Sequence, residues 1–209
     1  EIADGVALCP PDFLVNVLLT GAKELAGMVA GDYREAHRAG CARVRAESIS
    51  ATPRACPVVI ASNSGFPLDQ NLYQTVKGIS AAARVVERGG TIIMASECRD
   101  GIPEHGNFAR IMGSAGTPAE ILAWIDAQAD TLLDQWQAQI LARILERAEV
   151  CLFSSLPESV VRSCHLTPVP DFQAAVMDRV AAAGRRPAAA VLPDGPLTIP
   201  TVAPPGGIA

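Results

Sequence analysis

The sequence is poor in aromatic residues, has little charge of either sign and contains no long apolar run. Of its 209 residues, 4% are aromatic and 19% are charged, and the formal net charge is -5 at pH 7. No apolar stretch reaches the ~20 residues that a membrane-spanning helix needs. The small acidic excess argues against a nucleic-acid partner and against a polybasic membrane contact. A hydrophobic content of 49% excludes disorder over most of the chain.

Metal-binding and nucleophile motifs are missing as well. The six cysteines form no CxxC pair, and His37, His105 and His165 form neither HxH nor HExxH, so the sequence predicts no metal site. It also lacks GxSxG and GxGxxG motifs. A chain of this length buries a core without disulfides, so we expect free and mostly buried thiols. Free thiols without a signal peptide predict a cytoplasmic protein.

Two hydrophobic periodicities alternate along the chain and predict an α/β fold. Short apolar runs predict strands at 13–20, 25–30, 58–62, 91–95, 150–153 and 188–192. Helical spacing predicts helices at 33–47, 69–86, 107–113, 118–126, 130–149, 157–163 and 171–183. Asp32 and Asp69 are the predicted N-caps of the first two helices. The alternation predicts a three-layer α-β-α, Rossmann-like domain with a mostly parallel sheet.

The chain divides into three predicted segments. Residues 1–50 form a hairpin and a helix, followed by a linker at 48–56, and resemble the trailing edge of another domain. Residues 51–195 form the α/β lobe, and the tail at 196–209, rich in proline and glycine, is expected to fray. The chain begins with Glu1 rather than Met, so we expect a preceding segment.

Ligands of open α/β sheets bind beyond the carboxyl ends of the strands. This rule selects the loops at 62–69, 96–105 and 154–157. The second loop holds Cys98 and His105 seven residues apart, a spacing that does not by itself indicate a catalytic dyad. The charged residues of this loop are typical of the rim of a binding site.

The richest candidate begins in the first loop and reads SNSGFPLDQNLYQTVK from residue 62. Asn71, Gln74 and Lys77 lie three residues apart and share one helical face, flanked by Tyr73. A lysine and amides near a helix start suit a carboxylate or a phosphate. The alternative interpretation is a solvated polar face beside a capped helix. Trp136 lies on the apolar stripe of the 130–149 helix and is expected in the core, although such a Trp can also wall a planar ligand.

Three longer segments carry a family resemblance. SNSGFPLDQNLYQTVKG, GGTIIMASECRDGI and DQWQAQILARIL together resemble the nickel-dependent lactate racemase family, which includes other 2-hydroxyacid racemases. FLVNVLL, AGDYREAHRAG and AAAVLPDGPLTIP are also similar to that family, so the resemblance covers nearly the whole chain.

The resemblance implies a two-lobed cytoplasmic enzyme with a nickel-pincer nucleotide cofactor. In that family a first-lobe histidine takes the hydroxyl proton, the hydride moves from the substrate Cα to the cofactor, and its return to either face racemises the substrate. Lys77 and Gln74 match the catalytic pair of the second lobe, with Lys77 neutralising the substrate carboxylate. Tyr73 and Trp136 match aromatic residues that line the pocket, and Asn71 and Asp69 are expected to face the substrate or cofactor.

The chain departs from the family pattern because the motifs of the first, cofactor-binding lobe are absent. The resemblance therefore makes residues 1–50 the end of that lobe and 51–195 the carboxyl-terminal lobe. We expect this chain alone to bind neither nickel nor the cofactor and to racemise nothing; its partners would be a missing amino-terminal lobe and a small 2-hydroxy acid. Two alternatives are a standalone α/β carboxylate-binding module and an unrelated Rossmann-like enzyme, such as a methyltransferase.

Overall fold

A computed structural model describes residues 2–103, 106–184 and 188–203. The chain folds as two compact units, Glu1–Ile49 and Ser50–Ala209.

The first unit is a β-hairpin with two helices. Its elements are α1 (Ile2–Leu8), β1 (Leu14–Leu19), β2 (Leu25–Gly31) and α2 (Tyr33–Ser48). The strands pair antiparallel, and α2 packs on both of them. The Asp32 carboxylate accepts hydrogen bonds from the amides of Arg34 and Glu35, which confirms the predicted N-cap. The predicted hairpin is confirmed too.

One face of this hairpin is apolar and exposed. Side chains alternate between the two faces of a strand, so Leu18 is buried while its neighbours Val17 and Leu19 are exposed. Val17 pairs with Met28, which is exposed as well. A two-stranded ribbon with one uncovered apolar face is marginal on its own in water.

The second unit contains a five-stranded parallel sheet. The strands of this unit are β3 (Ile49–Thr52), β4 (Cys56–Ser62), β5 (Val86–Ala95), β6 (Glu149–Phe153), β7 (Thr167–Pro168), β8 (Ala189–Leu192) and β9 (Ile199–Val202). Five of them form the sheet in the order β7-β6-β5-β4-β8, and every neighbouring pair in it is parallel. The prediction of a mostly parallel α/β sheet is confirmed.

Helices cover both faces of this sheet. They are α3 (Leu72–Ala82), α4 (Phe108–Met112), α5 (Pro118–Asp126), α6 (Gln135–Leu145), α7 (Glu158–Ser163) and α8 (Phe172–Ala182). Val59 and Ile92 belong to a large core cluster that includes residues of α3 to α6. Their strand neighbours Val58 and Ile93 point to the opposite face and pack with residues of α8. The predicted three-layer arrangement is confirmed.

Two predicted helices are longer than the observed ones. The helix predicted at 69–86 spans Leu72–Ala82, because its first residues form a loop and Val86 already begins β5. The helix predicted at 130–149 spans Gln135–Leu145. Asp134 precedes it with a φ of 65°, a left-handed conformation that a helix does not continue through.

The predicted linker and tail are wrong where the structure describes them. Residues 49–52 form β3, and residues 195–202 form a short 3-10 helix followed by β9. These two distant strands pair with each other, and the Ala203 amide donates to the Thr52 carbonyl over 2.8 Å. Composition predicts loops for both segments, whereas pairing satisfies their backbone groups. Residues 204–209 of the predicted tail lie outside the described residues.

Candidate functional site

The three predicted loops meet at the carboxyl edge of the parallel sheet. The Cys98 amide donates to the Asp69 carbonyl over 2.8 Å, which joins the loop after β5 to the loop after β4. The Ser155 amide donates to the Glu97 carbonyl over 2.9 Å, which joins the loops after β5 and β6. A cleft of about 480 Å³ opens between the loops. The described residues that line it include Ser62, Asp69, Ser96, Glu97, Phe153 and Ser154.

The predicted N-cap Asp69 is wrong, because the helix begins three residues later. Asn71 is the N-cap of α3, and its side-chain oxygen accepts from the Gln74 amide over 3.0 Å. The carboxylate of Asp69 instead accepts from the Glu97 amide through Oδ2, over 3.3 Å. Its Oδ1 is buried and has no hydrogen-bond partner in the described parts of the chain. Asp69 therefore belongs to the cleft and not to the helix cap.

Lys77 and Gln74 project from α3. Lys77 is exposed although its neighbours Val76 and Gly78 are buried, and Gln74 is half-buried. Neither side chain forms a hydrogen bond or an ion pair with another residue among those described. An ammonium and an amide are therefore available on one helix to an anionic ligand. These two residues do not line the cleft described above.

Tyr73 packs between two other aromatic rings. The ring centroids lie 5.8 Å from Phe108 and 6.2 Å from Trp136, and both contacts are edge-to-face. Trp136 is 51% exposed, so its expected place in the core is wrong, and Leu133 of the same predicted stripe is exposed too. Both lie at or before the first turn of the shortened α6, whereas its buried residues begin at Gln137. The exposed indole face is available to wall a ligand.

Two polar residues that support this group were not singled out from the sequence. The Tyr73 hydroxyl donates to the Asp134 carboxylate over 3.3 Å. The buried Gln137 side chain donates to the Tyr73 carbonyl over 2.8 Å and ties α6 to α3. Gln137 lies four and seven residues before Leu141 and Ile144 on the same buried face. A glutamine on an apolar stripe is the signal that could have identified it.

The hydroxyl of Tyr73 is predicted to titrate at high pH. Burial and then the negative charge of Asp134 raise the pKa of Tyr73 above its ordinary value. In a Tyr33→Phe background, which leaves one tyrosine, we expect Asp134→Asn to lower this pKa, because the repelling charge is removed. A pH titration of phenolate absorbance measures it. An unchanged pKa in Asp134→Asn would show that the two groups do not interact.

A buried cluster of hydroxyls and a thiol lies beneath the loops. The Thr75 hydroxyl lies 2.6 Å from the Ser96 hydroxyl, and the Cys98 thiol donates to Ser96 over 3.4 Å. Burial raises the pKa of the Cys98 thiol, so it stays protonated and is a poor nucleophile. The cluster therefore has a structural role. Glu104 and His105 of this loop lie outside the described residues.

The remaining histidines have local partners. His165 places Nε2 3.1 Å from the Met112 carbonyl, and His37 lies 3.5 Å from the Cys41 thiol. Within residues 2–103, 106–184 and 188–203, no group of three or more His, Cys, Asp or Glu side chains is arranged to hold a metal ion. In the same ranges, no helix combines the length and the apolar character needed to cross a membrane.

The fold and the cleft define a class of protein. A parallel sheet covered on both faces, with polar loops and a cleft at its carboxyl edge, is typical of α/β domains that bind small ligands. Within this class, residues 51–199 match the family model of the lactate racemase C-terminal domain. The chain belongs to this family, which confirms the resemblance recognised from the sequence.

The curated relatives that this chain matches are much longer than the matching part. The lactate racemase of Lactiplantibacillus plantarum is 37% identical over 187 residues, which are 88% of this chain and 43% of the relative. That of Thermoanaerobacterium thermosaccharolyticum is 35% identical over 186 residues, again 43% of its length. This chain therefore spans less than half the length of these relatives.

Solved structures confirm the fold. The lactate racemase apoprotein from Thermoanaerobacterium thermosaccharolyticum superimposes with a TM-score of 0.89 at 32% identity, covering 96% of this chain and 48% of that one. A Thermotoga maritima protein superimposes with a TM-score of 0.61 at 12% identity, covering 91% of this chain and 49% of that one. The second likeness shows a shared fold alone.

Proposed function

We propose that this chain is the carboxyl-terminal part of a cytoplasmic, nickel-pincer-nucleotide-dependent racemase of lactate or another 2-hydroxy acid. In this proposal it supplies substrate-facing polar groups when it closes over a first lobe, and it is inactive alone. Residues 1–50 are the end of that first lobe. The membership of the chain in the lactate racemase C-terminal domain family supports the proposal.

The observation that carries the proposal is the pair of free polar side chains on α3. Lys77 is exposed, and Gln74 lies one turn before it. A 2-hydroxy acid carries one carboxylate, which a lysine ammonium binds by charge and by hydrogen bonding. The amide of Gln74 supplies a second donor beside it. Removal of this carboxylate from water strengthens both interactions.

Tyr73 and Trp136 orient the substrate in this proposal. Tyr73 is held by the Asp134 carboxylate and by edge-to-face contacts, so its ring has a fixed position. Trp136 presents its exposed indole beside Tyr73. Together they exclude water from the substrate. Asn71 contributes as the cap that fixes the start of α3, and Asp69 faces the neighbouring cleft.

Nickel does not fit the described residues of this chain. They contain no group of three or more His, Cys, Asp or Glu side chains arranged to hold a metal ion. In the proposal the preceding lobe holds the cofactor, which supplies the hydride acceptor when bound. The residues of this chain bind the carboxylate, orient the substrate and exclude water.

The hairpin of the first unit supports a missing partner lobe. Its exposed face carries the apolar side chains of Val15, Val17, Leu19 and Met28. Contiguous exposed apolar surface of this kind marks an interaction site. The relatives are more than twice as long as the segment that matches, so they contain enough additional chain to cover it.

A chimera tests the proposal. This chain replaces the matching part of the Lactiplantibacillus plantarum relative, and racemisation of D- and L-lactate and of other 2-hydroxy acids is followed by chiral chromatography. We expect turnover in the cofactor-loaded chimera and none in the isolated chain, because only the chimera combines both lobes.

Gel filtration measures whether the chimera is assembled, and its nickel content is measured separately. An assembled, nickel-loaded chimera without activity on any 2-hydroxy acid would contradict the proposed function. Racemisation by the isolated chain would contradict the proposed dependence on a first lobe.

A further inference from the structure

We propose that Asp134 is a positioning residue for the aromatic wall of the α3 site, where it holds the Tyr73 hydroxyl and, through Tyr73, the exposed indole of Trp136. The inference rests on the proposed function, because it names what keeps the substrate-facing wall of that same site in place. Asp134 acts through Tyr73 and is not itself placed against the substrate. Gly106 supports this role by leaving space for the carboxylate.

The first argument is that Asp134 does not serve the helix that it precedes. It is the N-cap residue of α6, yet its side chain forms no capping hydrogen bond. Asp32 and Asp171 occupy the same position before α2 and α8, and both accept hydrogen bonds from amides of the first helical turn. Capping is the usual reason for an aspartate at a helix start. At residue 134 this stabilisation is given up.

The second argument is the conformation that Asp134 adopts. Its φ is 65°, in the left-handed region that residues other than glycine rarely occupy. Gly106 lies against its carboxylate and has a φ of 86°. A Cβ atom at residue 106 would overlap Oδ2 of Asp134, so glycine leaves room for the carboxylate in this orientation. Strained residues of this kind are concentrated at functional sites, where surrounding contacts hold them.

The contact that these features secure is with Tyr73. The Tyr73 hydroxyl donates to Oδ1 of Asp134 over 3.3 Å. Burial and then Asp134 raise the pKa of Tyr73, and hydrogen bonding by Trp136 lowers it in part. An indole N–H can only donate, so Trp136 faces the phenol oxygen while the hydroxyl proton points to Asp134. The three side chains therefore form one directed chain of hydrogen bonds.

This chain of hydrogen bonds matters because Trp136 is 51% exposed. Exposed side chains change rotamer readily, whereas a wall that orients a substrate must keep one geometry. Tyr73 contacts Trp136 edge-to-face at 6.2 Å, and Gln137 holds the Tyr73 carbonyl. We expect loss of the Asp134 carboxylate to release the two rings and to leave Lys77 on α3 unchanged.

The first test measures turnover of the two-lobe chimera. Asp134→Gly removes the carboxylate and tolerates the left-handed backbone. We expect kcat to fall by about 10- to 100-fold, the effect of a small misplacement of reacting groups. KM should stay within about threefold, because Lys77 still binds the substrate carboxylate. Asp134→Asn keeps an acceptor oxygen and should retain kcat within about threefold of the wild type.

A Tyr73→Phe background separates positioning from a purely structural role. If Asp134 acts through the Tyr73 hydroxyl, Asp134→Gly should change kcat by less than about twofold in this background, because the group that it holds is gone. Urea unfolding of the same variants measures their stability. An equal fall of kcat with and without the Tyr73 hydroxyl would overturn the inference, and so would an unchanged kcat in Asp134→Gly alone.

The second test needs no activity and uses the full 209-residue chain with Tyr33→Phe. Gly106→Ala places a methyl group where the carboxylate lies, so we expect it to displace Asp134 and to lower the pKa of Tyr73, measured by phenolate absorbance. Gly101→Ala is the matched control. Gly101 also lies between β5 and α4 and has a φ of 73°, but none of the described atoms crowds its Cβ position. This control should leave the titration unchanged.

The two tests distinguish this inference from the proposed function. An assembled, nickel-loaded chimera without turnover would contradict the function, and the phenolate titration would still decide whether Gly106 and Asp134 hold Tyr73. A pKa of Tyr73 that is the same in Gly106→Ala and in its parent would overturn the inference. A pKa that Gly101→Ala lowers equally would also overturn it, because backbone strain alone would then explain the change.

Discussion

Lys77→Ala is expected to lower kcat/KM for the 2-hydroxy acid by about 30-fold to several thousand-fold in the assembled two-lobe enzyme. The loss corresponds to ~2–5 kcal/mol, the typical effect of removing one partner of a buried charge pair. The physical reason is that the substrate carboxylate would lose its cation after closure has removed water. Steady-state kinetics of the wild-type and variant chimeras measure the effect.

Two further variants separate the charge of Lys77 from its shape. Lys77→Arg keeps the positive charge in a different geometry, so we expect a partial recovery of kcat/KM. Arg143→Ala removes another exposed cation, from α6, and is expected to leave turnover unchanged. Wild-type turnover in Lys77→Ala would exclude the proposed role of this lysine.

Asn63→Ala is expected to destabilise the second unit by about 2–4 kcal/mol. Asn63 is 1% exposed, and its side-chain oxygen accepts from the Gly78 amide over 3.1 Å. Its amide donates to the Leu68 carbonyl. One side chain therefore joins the end of β4, the loop after it and α3. Alanine would remove both of these hydrogen bonds at a buried junction.

Urea unfolding followed by tryptophan fluorescence measures this change. Both tryptophans, Trp124 and Trp136, lie in the second unit, so the signal reports the unit that contains Asn63. Asn107→Ala is the control, because Asn107 bonds the Leu133 carbonyl in a more exposed position; its expected loss is below ~1 kcal/mol. Equal losses of unfolding free energy in the two variants would show that the buried hydrogen bonds of Asn63 stabilise the unit no more than the exposed one of Asn107.

The start of α3 shows where sequence patterns reach their limit. The segment from Asp69 to Asn71 contains two residues that are good N-caps, and spacing does not distinguish them. In the structure the loop continues because the Leu72 amide donates to the Gly101 carbonyl over 3.1 Å. That partner lies 29 positions away, so a long-range contact decided the boundary.

Trp136 is a site residue whose exposure the sequence pattern did not predict. Helical periodicity assigned it to the core, because it lies on the stripe with Leu141 and Ile144. Its exposure depends on where α6 begins, and the left-handed Asp134 fixes that point. Lys77 was selected by its spacing from Asn71 and Gln74, and the structure leaves it exposed and available.

The sequence by itself determined the α/β class, the mostly parallel sheet, the hairpin and the family, because these depend on local periodicity and on contiguous motifs. The tertiary structure decided the pairing of β3 with β9, the true cap of α3 and the cleft around Asp69. Each of these depends on hydrogen bonds between residues far apart in the chain. Such bonds form only after the strands and helices have packed, so no local pattern specifies them.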